Sequence, residues 1–382
     1  MTRVFYLHYN LIHAKINIMS FMGKGMTNKI VTKAMIMSAG VGSRLEPLTY
    51  AVPKPLIPIA NKPVMDILLE KLRELGIKNV ICNTYYLAEK IIERYQYNQL
   101  GIHFNYIKED TLSGTAGGLK KCQNFFDKGE TFIVLSADGL TNADIEKGIA
   151  SHIKSGAIAT IGIKQIPHEE VSHFGVVVTD ENGFIKEFQE KPTVEDAKSN
   201  YINTGIYIFN YEIFDFIPEN TFYDFAKNVF PELLKKRKIN TFEINEYWTD
   251  IGTLAQYKQS TKDLFFGLCR FKHTPIINSA SGKYINNGSE IPACTVFEGT
   301  STIGSGCKIG KNVKIIDSII WDDVILEDNI TVKNSIIASK SHIASDICDE
   351  VIGSNEIIQK IKAWFLGYFL LDLEETAQVC KS

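Results

Sequence analysis

The most chemically informative stretch of the chain is residues 38–58, where two glycines are followed by two basic residues. Gly40 and Gly42 come after an apolar run, and they permit a sharp turn that brings backbone N–H groups close to phosphate oxygens. Arg44 offers a planar guanidinium that can bind two phosphate oxygens, and Lys54 carries a point charge between two prolines. The stretch therefore favours a site for a nucleoside triphosphate.

The same stretch differs from two common phosphate-binding motifs. The dinucleotide fingerprint requires a third glycine where Leu45 stands, and a Walker loop requires Gly-Lys followed by Ser or Thr. Taken alone, Gly40 and Gly42 are more typical of an ordinary turn than of a ligand site. The basic residues and prolines that follow them therefore decide the prediction.

Two aspartates in separate segments have the chemistry of a magnesium site. Asp138 ends an apolar run, so it is predicted to lie at the carboxyl edge of a parallel strand, where open α/β sheets bind their ligands. Magnesium prefers oxygen ligands and usually takes one or two from the protein, so Asp138 and Asp250 together are suited to an Mg²⁺ ion that bridges a triphosphate. The alternatives are a helix cap for Asp138 and a turn residue for Asp250.

Together these segments resemble the signature of the sugar-1-phosphate nucleotidyltransferases, also called NDP-sugar pyrophosphorylases. The family pattern is Gly-x-Gly-Thr-Arg-Leu-x-Pro-Leu-Thr followed by Pro-Lys-Pro, and the chain matches it from Gly40 to Pro55 except that Ser43 replaces Thr. Further family landmarks follow in the expected order, so the resemblance covers about residues 33–260. The pattern is most similar to mannose-1-phosphate guanylyltransferases with a C-terminal hexapeptide-repeat domain.

The resemblance also implies which residues bind each substrate. For the NTP it implies Ala39, Gly40, Gly42, Ser43, Gly114 and Thr115, and for the sugar 1-phosphate Gly175, Glu190, Lys191 and Asn203. The catalytic residues that it implies are Arg44, Lys54, Asp138, Lys191 and Asp250, with Asp138 and Asp250 as the ligands of Mg²⁺. Without the resemblance, Lys191 would be interpreted as a solvated surface lysine, since lone lysines usually are.

The reaction that the resemblance implies joins an NTP and a sugar 1-phosphate to give an NDP-sugar and pyrophosphate. It is a single in-line displacement at the α-phosphorus without a covalent enzyme intermediate, so catalysis depends on positioning and charge stabilisation. We expect GTP and mannose 1-phosphate as substrates, because a Gly-Thr-Ala-Gly loop combined with a repeat domain is most like the guanylyltransferases. Thymidylyl- and uridylyltransferases acting on glucose 1-phosphate share these elements and are open alternatives.

Two alternatives from other classes of protein are also open. A regulatory subunit that senses nucleotide sugars would be expected to lack at least one of the five implied catalytic residues, but all five are present. An acyltransferase built on the C-terminal repeats would need more coils and a histidine facing a groove between coils, whereas His342 is the only histidine in the repeats. The sequence therefore favours the nucleotidyltransferase.

The composition agrees with a soluble enzyme, and the cysteine pattern with a cytoplasmic one. Of the 382 residues, 45% are hydrophobic and 22% are charged, which is close to the average of globular proteins. A formal net charge of −3 gives no general attraction to nucleic acid or to an anionic membrane, so neither is expected as a partner. The seven cysteines are scattered and never spaced as Cys-x-x-Cys, as expected for reduced thiols.

Hydrophobic periodicity divides the chain into two folded parts. Over residues 30–262, apolar runs alternate with helical spacing, which predicts an α/β fold with a doubly wound, Rossmann-like and mostly parallel sheet. Within it, Asn182 and Gly183 form a hairpin signal, and residues 263–290 are predicted to be a linker. Residues 1–29 lack the apolar core of a signal peptide or membrane helix and are interpreted as a disordered or mis-annotated extension.

A six-residue period marks the C-terminal part, residues 291–350. Aliphatic residues recur at this step at Ile303, Ile309 and Ile315, and again at Ile319 and Ile325. The period predicts a parallel β-helix in which each coil buries its apolar face on the next, with a generic β-rich tail as the alternative. The resemblance implies that the β-helix is short and left-handed, and we expect it to join subunits into a homo-oligomer. The apolar run in the tail 351–382 is interpreted as a buried helix or oligomer contact.

Overall fold

The computed structural model describes residues 31–97, 100–236, 238–271 and 282–354. The predicted extension 1–29 and residues 355–382 of the predicted tail lie outside the described residues. Within those ranges, no helix has the length and apolar character needed to cross a membrane. The six cysteines in the described ranges are unpaired thiols, as predicted.

The part up to residue 271, called here the N-terminal part, alternates strands and helices. Its strands are β1 (Lys33–Met37), β2 (Pro58–Ile59), β3 (Lys62–Pro63), β4 (Asn79–Thr84), β5 (His103–Lys108), β6 (Thr131–Ser136), β7 (Gly139–Thr141), β8 (Ala159–Gln165), β9 (Gly175–Thr179), β10 (Ile185–Glu190), β11 (Tyr201–Asn210), β12 (Ile239–Glu243) and β13 (Trp248–Asp250). Its described α-helices are α1 (Val64–Glu74), α2 (Ala88–Tyr95), α3 (Gly114–Lys121), α4 (Ile145–Ser155), α5 (Phe230–Lys235) and α6 (Leu254–Phe265). The signature residues lie in 3₁₀ turns at Ser43–Leu45 and Lys54–Leu56.

A nine-stranded mixed sheet forms the frame of this part, in the order β10-β9-β11-β6-β1-β4-β5, with β8 pairing with β11 and β12. β6, β1, β4 and β5 are parallel, which confirms the predicted Rossmann-like half. β11 runs antiparallel to β6, β8 and β9, and β12 pairs with β8 in parallel, so the later strands extend the same sheet as a mixed half. Asn182 and Gly183 lie in the turn between β9 and β10, as predicted.

The centre of the sheet is buried on both faces. Ala34, Met35 and Ile36 of β1 are fully buried. Ile36 packs in the apolar cluster that contains Leu68 of α1, whereas Met35 packs in the cluster that contains Leu119 of α3. Successive strand residues point to opposite faces, so these clusters are two separate layers of core, as in a doubly wound fold. The carboxyl ends of β1, β4 and β6 consequently meet at one edge.

The C-terminal part is built from short strands in three parallel sheets. Its strands are β14 (Lys283–Ile285), β15 (Val296–Glu298), β16 (Ser301–Ile303), β17 (Lys308–Ile309), β18 (Lys314–Ile316), β19 (Ile319–Ile320), β20 (Ile325–Leu326), β21 (Thr331–Lys333), β22 (Ile336–Ile337), β23 (His342–Ile343), β24 (Ile347–Cys348) and β25 (Val351–Ile352). The sheets are β14-β16-β19-β22-β25, β15-β18-β21-β24 and β17-β20-β23, so consecutive strands fall on different faces and each coil stacks on the next. This arrangement is consistent with the predicted left-handed parallel β-helix.

The six-residue spacing is confirmed in two successive coils, but the interior positions predicted for the second coil are wrong by one residue. The buried interior positions of the first are Ile303, Ile309 and Ile315. Ile325, in contrast, is 41% exposed, and Ile319 packs outward against the N-terminal part. The next interior position is Ile320, because the corner at Asp317, which has a left-handed φ of 45°, closes with one residue fewer. A change of one residue reverses the face on which each following strand residue lies.

The β-helix packs directly on the N-terminal part, and the two share one apolar cluster. Ile319, Trp321 and Ile336 of the β-helix lie in the same buried cluster as Tyr257 of α6. β14 lies within the predicted linker, so the first strand of the β-helix precedes residue 291. The other limits of the predicted domains stay predictions.

Candidate active site

A cavity of about 420 Å³ lies at the carboxyl ends of β1 and β6 and beside the amino end of α3. The predicted residues that line it are Ala39, Gly40, Gly42, Ser43, Arg44, Lys54, Gly114, Thr115 and Asp138. The fold therefore brings together the predicted NTP residues and three of the predicted catalytic residues, although they come from separate stretches of the chain.

The glycine loop needs Gly42 for its conformation. Gly42 has a left-handed φ of 73°, which residues with a side chain rarely adopt. A Cβ atom added there would lie 3.1 Å from side-chain atoms of both Thr49 and Lys54. The Gly42 carbonyl accepts hydrogen bonds from Thr49 Oγ1 at 3.1 Å and from the Leu45 N–H at 3.0 Å. The turn is therefore fixed, and Arg44 is held at the cavity wall.

Lys54 and Asp138 form an ion pair in the cavity, with 14% and 23% of their side chains exposed. Ser136 Oγ also donates to Asp138 Oδ1 at 2.5 Å. Burial raises the pKa of Asp138, but the charge of Lys54 and the hydrogen bonds outweigh burial and hold that pKa below its ordinary value. Asp138 is therefore a carboxylate at neutral pH. The helix-cap alternative is wrong, since Asp144 caps α4 by accepting from the Lys147 N–H at 3.1 Å.

Strand pairing places Asp250 beside Asp138. β13 pairs with β7, so Asp250 is opposite Gly139, and the Ile251 N–H donates to the Asp138 carbonyl at 2.9 Å. Gln256 Nε2 donates to Asp250 Oδ1 at 2.9 Å. Asp250 thus lies in a strand rather than in the turn that was its alternative, and its carboxylate is held by α6.

The two aspartates fit the ligands that a magnesium ion prefers. Burial, and after it the negative charge of Asp138, raises the pKa of Asp250. The two carboxylates therefore repel each other, and a bound cation relieves that repulsion. Across the described ranges, no group of three or more His, Cys, Asp or Glu side chains is placed to hold a metal by itself. Two carboxylates supplemented by phosphate oxygens are the usual ligands of Mg²⁺.

The predicted sugar-phosphate residues lie on or directly after β9, β10 and β11, and they are not part of the cavity wall. Gly175 is opposite Glu190 in the hairpin, and a Cβ atom added to Gly175 would lie 2.5 Å from the ring of Phe188. Lys191, which follows the hairpin, is exposed and has a left-handed φ of 49°. This conformation is uncommon for a residue with a side chain and is often found at functional sites.

Asn203 and Tyr207 connect this group with the cavity. Asn203 Nδ2 donates to the Tyr207 hydroxyl at 2.9 Å, across an irregularity in the pairing of β11 with β8. Burial raises the pKa of Tyr207, the bond from Asn203 lowers it, and the charges of Asp224, Glu190 and Asp138 raise it further. Asp138 and Asp224 line the cavity. Tyr207 therefore bonds to Asn203 and lies within electrostatic range of Glu190 and of two aspartates of the cavity wall.

A buried polar network in the cavity wall was not predicted. Glu109 is 3% exposed and follows β5; its Oε1 accepts from Asn83 Nδ2 at 2.7 Å and its Oε2 from Ser113 Oγ at 2.5 Å. The Ser38 N–H donates to Asn83 Oδ1 at 3.1 Å, and Lys121 Nζ lies 3.3 Å from Glu109 Oε2. The network ties the ends of β1, β4 and β5 to the start of α3. The sequence does show a polar residue at the end of each strand. These residues indicate a network only when the strands are known to be neighbours in the sheet.

The loop that holds the amino end of α3 was also not predicted. The Ala116 N–H donates to the Tyr223 carbonyl at 3.0 Å. Gly114 has a left-handed φ of 77°, and a Cβ atom added there would lie 2.5 Å from the same carbonyl. Thr115 Oγ1 donates to Asp224 Oδ2 at 2.8 Å. In the Gly-Thr-Ala-Gly stretch the glycine thus permits a close approach of backbone, and the threonine anchors the loop.

Known proteins similar to this chain identify its family. Residues 33–265 match the family model described as nucleotidyl transferase. A UTP-glucose-1-phosphate uridylyltransferase of Synechocystis sp. is 40% identical over 300 residues, which cover 74% of this chain and 76% of that protein. The mannose-1-phosphate guanylyltransferase catalytic subunit beta of Drosophila melanogaster is 33% identical over 280 residues, which cover 72% of each protein. A solved UDP-glucose pyrophosphorylase complexed with UDP-glucose is 23% identical, with a TM-score of 0.55 over 62% of this chain and 99% of that chain.

The matched region contains every residue of the cavity wall, so the family assignment applies to the site described above. At 23% identity, the solved structure supports the fold alone. The relatives at 40% and 33% identity cover most of this chain and agree with the family that the sequence motifs resemble. The chain therefore belongs to the nucleotidyl transferase family, among the sugar-1-phosphate nucleotidyltransferases.

Proposed function

We propose that this protein transfers a nucleotidyl group from an NTP to a sugar 1-phosphate and releases pyrophosphate. The observation that carries this proposal is a single cavity that combines a glycine loop, the cations Arg44 and Lys54, and the carboxylate of Asp138. An NTP brings several negative charges, so its binding calls for backbone N–H groups, cations and a metal-binding carboxylate in one place.

In the proposed reaction, a phosphate oxygen of the sugar 1-phosphate attacks the α-phosphorus of the NTP. A new P–O bond forms, the bond from the α-phosphorus to the oxygen shared with the β-phosphorus breaks, and its electron pair leaves with pyrophosphate. Arg44 and the glycine loop 39–43 bind the β- and γ-phosphates, where negative charge accumulates. Lys54 offsets charge at the α-phosphoryl group. The protein contributes positioning and charge stabilisation rather than a covalent intermediate.

Asp138 and Asp250 are the proposed ligands of Mg²⁺, which supplies positive charge that offsets the charge of the phosphates. Ser136 and Gln256 orient these two carboxylates through their hydrogen bonds. Lys54 and Asp138 are hydrogen-bonded to each other. We expect that, when the NTP and Mg²⁺ bind, Lys54 contacts a phosphate and Asp138 contacts the metal in place of this bond.

Gly175, Glu190, Lys191 and Asn203 are the proposed residues of the sugar-phosphate end. Lys191 is exposed beside the hairpin, and its proposed role is to bind the attacking phosphate. Glu190 and Asn203 hydrogen-bond sugar hydroxyls, and Gly175 leaves its backbone accessible to the sugar. The electrostatic effect of both Glu190 and Asp138 on Tyr207 supports this assignment, because it puts the two ends of the site within range of one residue.

For the substrates, we propose UTP with glucose 1-phosphate as the first pair, and GTP with mannose 1-phosphate, which the sequence motifs predict, as the second. The first pair is supported by the 40% identity to the Synechocystis uridylyltransferase. The second is supported by the 33% identity to the Drosophila guanylyltransferase subunit.

A panel assay tests this proposal. Each of UTP, GTP, dTTP, ATP and CTP is combined with glucose 1-phosphate or mannose 1-phosphate in the presence of Mg²⁺, and pyrophosphate release is followed. We expect release, with the highest kcat/KM for UTP and glucose 1-phosphate, by about tenfold over the next pair. The highest value for GTP and mannose 1-phosphate would establish the second pair instead. Binding of an NTP by calorimetry without release from any pair would contradict the enzyme and favour the regulatory subunit.

A further inference from the structure

Resting on the proposed function and going beyond it, we propose that Tyr257 and Trp321 are positioning residues for Lys54. They form a hydrogen-bonded chain that runs from the β-helix through α6 to the loop 53–58. The β-helix thereby contributes to the geometry of the cavity, although none of its described residues lines the cavity.

The chain consists of one buried and one partly buried hydrogen bond. Trp321 Nε1 donates to the Tyr257 hydroxyl at 2.9 Å, and that hydroxyl donates to the Pro58 carbonyl at 2.8 Å. Tyr257 is fully buried and Trp321 is 3% exposed. An indole N–H can only donate and a carbonyl can only accept, so the direction of both bonds is fixed. Burial raises the pKa of Tyr257, so the hydroxyl keeps the proton that it donates.

The loop 53–58 is stiff enough to carry a displacement from Pro58 to Lys54. Prolines occupy three of its six positions, and each fixes its own φ angle. Inside the loop, the Leu56 N–H and the Ile57 N–H donate to backbone carbonyls at 2.8 Å and 3.1 Å. A shift at Pro58 therefore moves the Lys54 backbone instead of being absorbed between them.

Tyr257 also lies next to the residue that orients the second aspartate. Gln256, its neighbour in the first turn of α6, donates to Asp250 Oδ1 at 2.9 Å. Thr253 caps this turn, since its Oγ1 accepts from the Gln256 N–H at 3.2 Å. Tyr257 thus connects the helix that holds Asp250 with the loop that carries Lys54, and Trp321 fixes the hydroxyl through which it does so.

A neighbouring contact supplies a matched control. Lys258 Nζ donates to the Asn334 carbonyl at 2.6 Å and lies 3.2 Å from Asn334 Oδ1. This contact also joins α6 to the β-helix, and it adjoins Tyr257 in sequence, but no hydrogen bond leads from it to the loop 53–58 within the described residues. Loss of the Lys258 contact therefore weakens the interface between α6 and the β-helix and leaves the hydrogen bonds from Trp321 through Tyr257 to Pro58 in place.

The test compares Tyr257→Phe with Lys258→Met in the full-length protein. Tyr257→Phe keeps the ring and removes both bonds. We expect kcat to fall about fivefold to tenfold, within the range for the loss of such hydrogen bonds, with both KM values changed less than about twofold. For Lys258→Met we expect kcat within about twofold of wild type. Equal kcat values in the two variants would overturn the proposal.

Hydrogen exchange gives a readout that does not need activity. The amides of Leu56 and Ile57 should exchange at least about fivefold faster in Tyr257→Phe and at the wild-type rate in Lys258→Met. If the wild type releases no pyrophosphate from any substrate pair while exchange rises only in Tyr257→Phe, the proposed function fails and the structural link stands. Unchanged exchange of both amides in Tyr257→Phe would overturn the link whatever the activity.

Trp321→Phe keeps the proposal testable if Tyr257→Phe does not fold. It removes only the indole N–H and leaves the Tyr257 hydroxyl able to donate to Pro58, so we expect a smaller fall in kcat, about threefold. The double variant should match Tyr257→Phe alone, because both residues act through one chain. Wild-type kcat and exchange in Trp321→Phe, or additive losses in the double variant, would contradict a role of Trp321 in that chain.

Discussion

The cavity and the interior of the β-helix hold their side chains by different means. At the cavity, polar groups from distant parts of the chain bond to one another, as Lys54 does to Asp138. In the β-helix, like residues stack on like, with Ile303 beside Ile320 and Ile320 beside Ile337. We infer from this difference that the irregular polar contacts of the cavity serve binding and catalysis, whereas the repeated apolar contacts of the β-helix interior stabilise the fold. Substitutions in the two regions should therefore affect different measurements.

The largest loss of activity is expected for Asp138→Asn. An amide keeps an oxygen that can accept from Ser136 but loses the charge that binds Mg²⁺, so turnover should fall about 10²- to 10³-fold. The protein should still fold, with a melting temperature slightly below that of wild type, because the amide keeps the shape but loses the ion pair with Lys54. Pyrophosphate release at saturating Mg²⁺ and scanning calorimetry measure the two effects. Asp144→Asn is the matched control, since Asn is also a good helix cap and turnover should stay at the wild-type value. Wild-type turnover in Asp138→Asn would show that Asp138 is not a ligand of Mg²⁺.

Inside the β-helix, we expect a substitution to lower stability and to leave activity unchanged. Ile315 is fully buried, so Ile315→Ala should lower the free energy of unfolding by about 2 to 5 kcal/mol. Ile325→Ala makes the same chemical change at a position that is 41% exposed, and it should cost less than about 0.5 kcal/mol. Denaturant unfolding measures both, and kcat/KM of the folded proteins should be unchanged. Equal costs at the two positions would contradict the assignment of interior and exterior faces.

A smaller effect separates the two ends of the active site. If Lys191 binds the sugar phosphate, Lys191→Ala should raise KM for the sugar 1-phosphate about tenfold and leave KM for the NTP nearly unchanged, whereas Lys54→Ala should mainly lower kcat. Lys186→Ala, an exposed lysine on β10, is the control for a general change of surface charge. Equal changes in both KM values for Lys191→Ala would show that Lys191 does not belong to the sugar-phosphate end.

The smallest expected effect is a pH dependence of stability. The pKa of Asp250 in the folded protein is raised, so its ionised form is disfavoured there, and folding loses stability as pH rises from the unfolded pKa of about 3.9 through the raised folded value. Without Mg²⁺, Asp250→Asn should therefore melt slightly above wild type at neutral pH, and the difference should disappear below about pH 3. Mg²⁺ with NTP should reverse the order, because the ligands stabilise wild type more. A lower melting temperature of the metal-free variant at neutral pH would contradict this account.

The sequence predicted the parts of the site that depend on short stretches. Gly40 to Pro55 form a continuous motif, and Asp138 ends a recognisable apolar strand, so both were identified without knowledge of the fold. The Glu109 network and the Thr115 to Asp224 bond were not, because they join residues that only the folded sheet makes neighbours. Long-range polar contacts leave no periodic signal in one sequence.

The β-helix was predicted from its period, and the error in the interior positions of its second coil has a local cause. A regular step of six identifies the architecture, but the step across the corner at Asp317 is one residue shorter, so the interior position is Ile320 and the predicted Ile319 faces outward. The packing of Trp321 on Tyr257 could not be predicted either, since it depends on where the β-helix docks. The predicted homo-oligomer through the β-helix stays a prediction.

Phosphorus NMR of the complete reaction tests the central claim most directly. Wild type and Asp138→Asn are each incubated with Mg²⁺ and the substrate pair that gives the highest kcat/KM in the panel assay, and the phosphorus signals are followed with time. The account predicts that the NDP-sugar and pyrophosphate appear together in equal amounts with wild type and that neither appears at a comparable rate with Asp138→Asn. Release of phosphate from the NTP while the sugar 1-phosphate is left unconsumed, or equal rates in the two proteins, would contradict it.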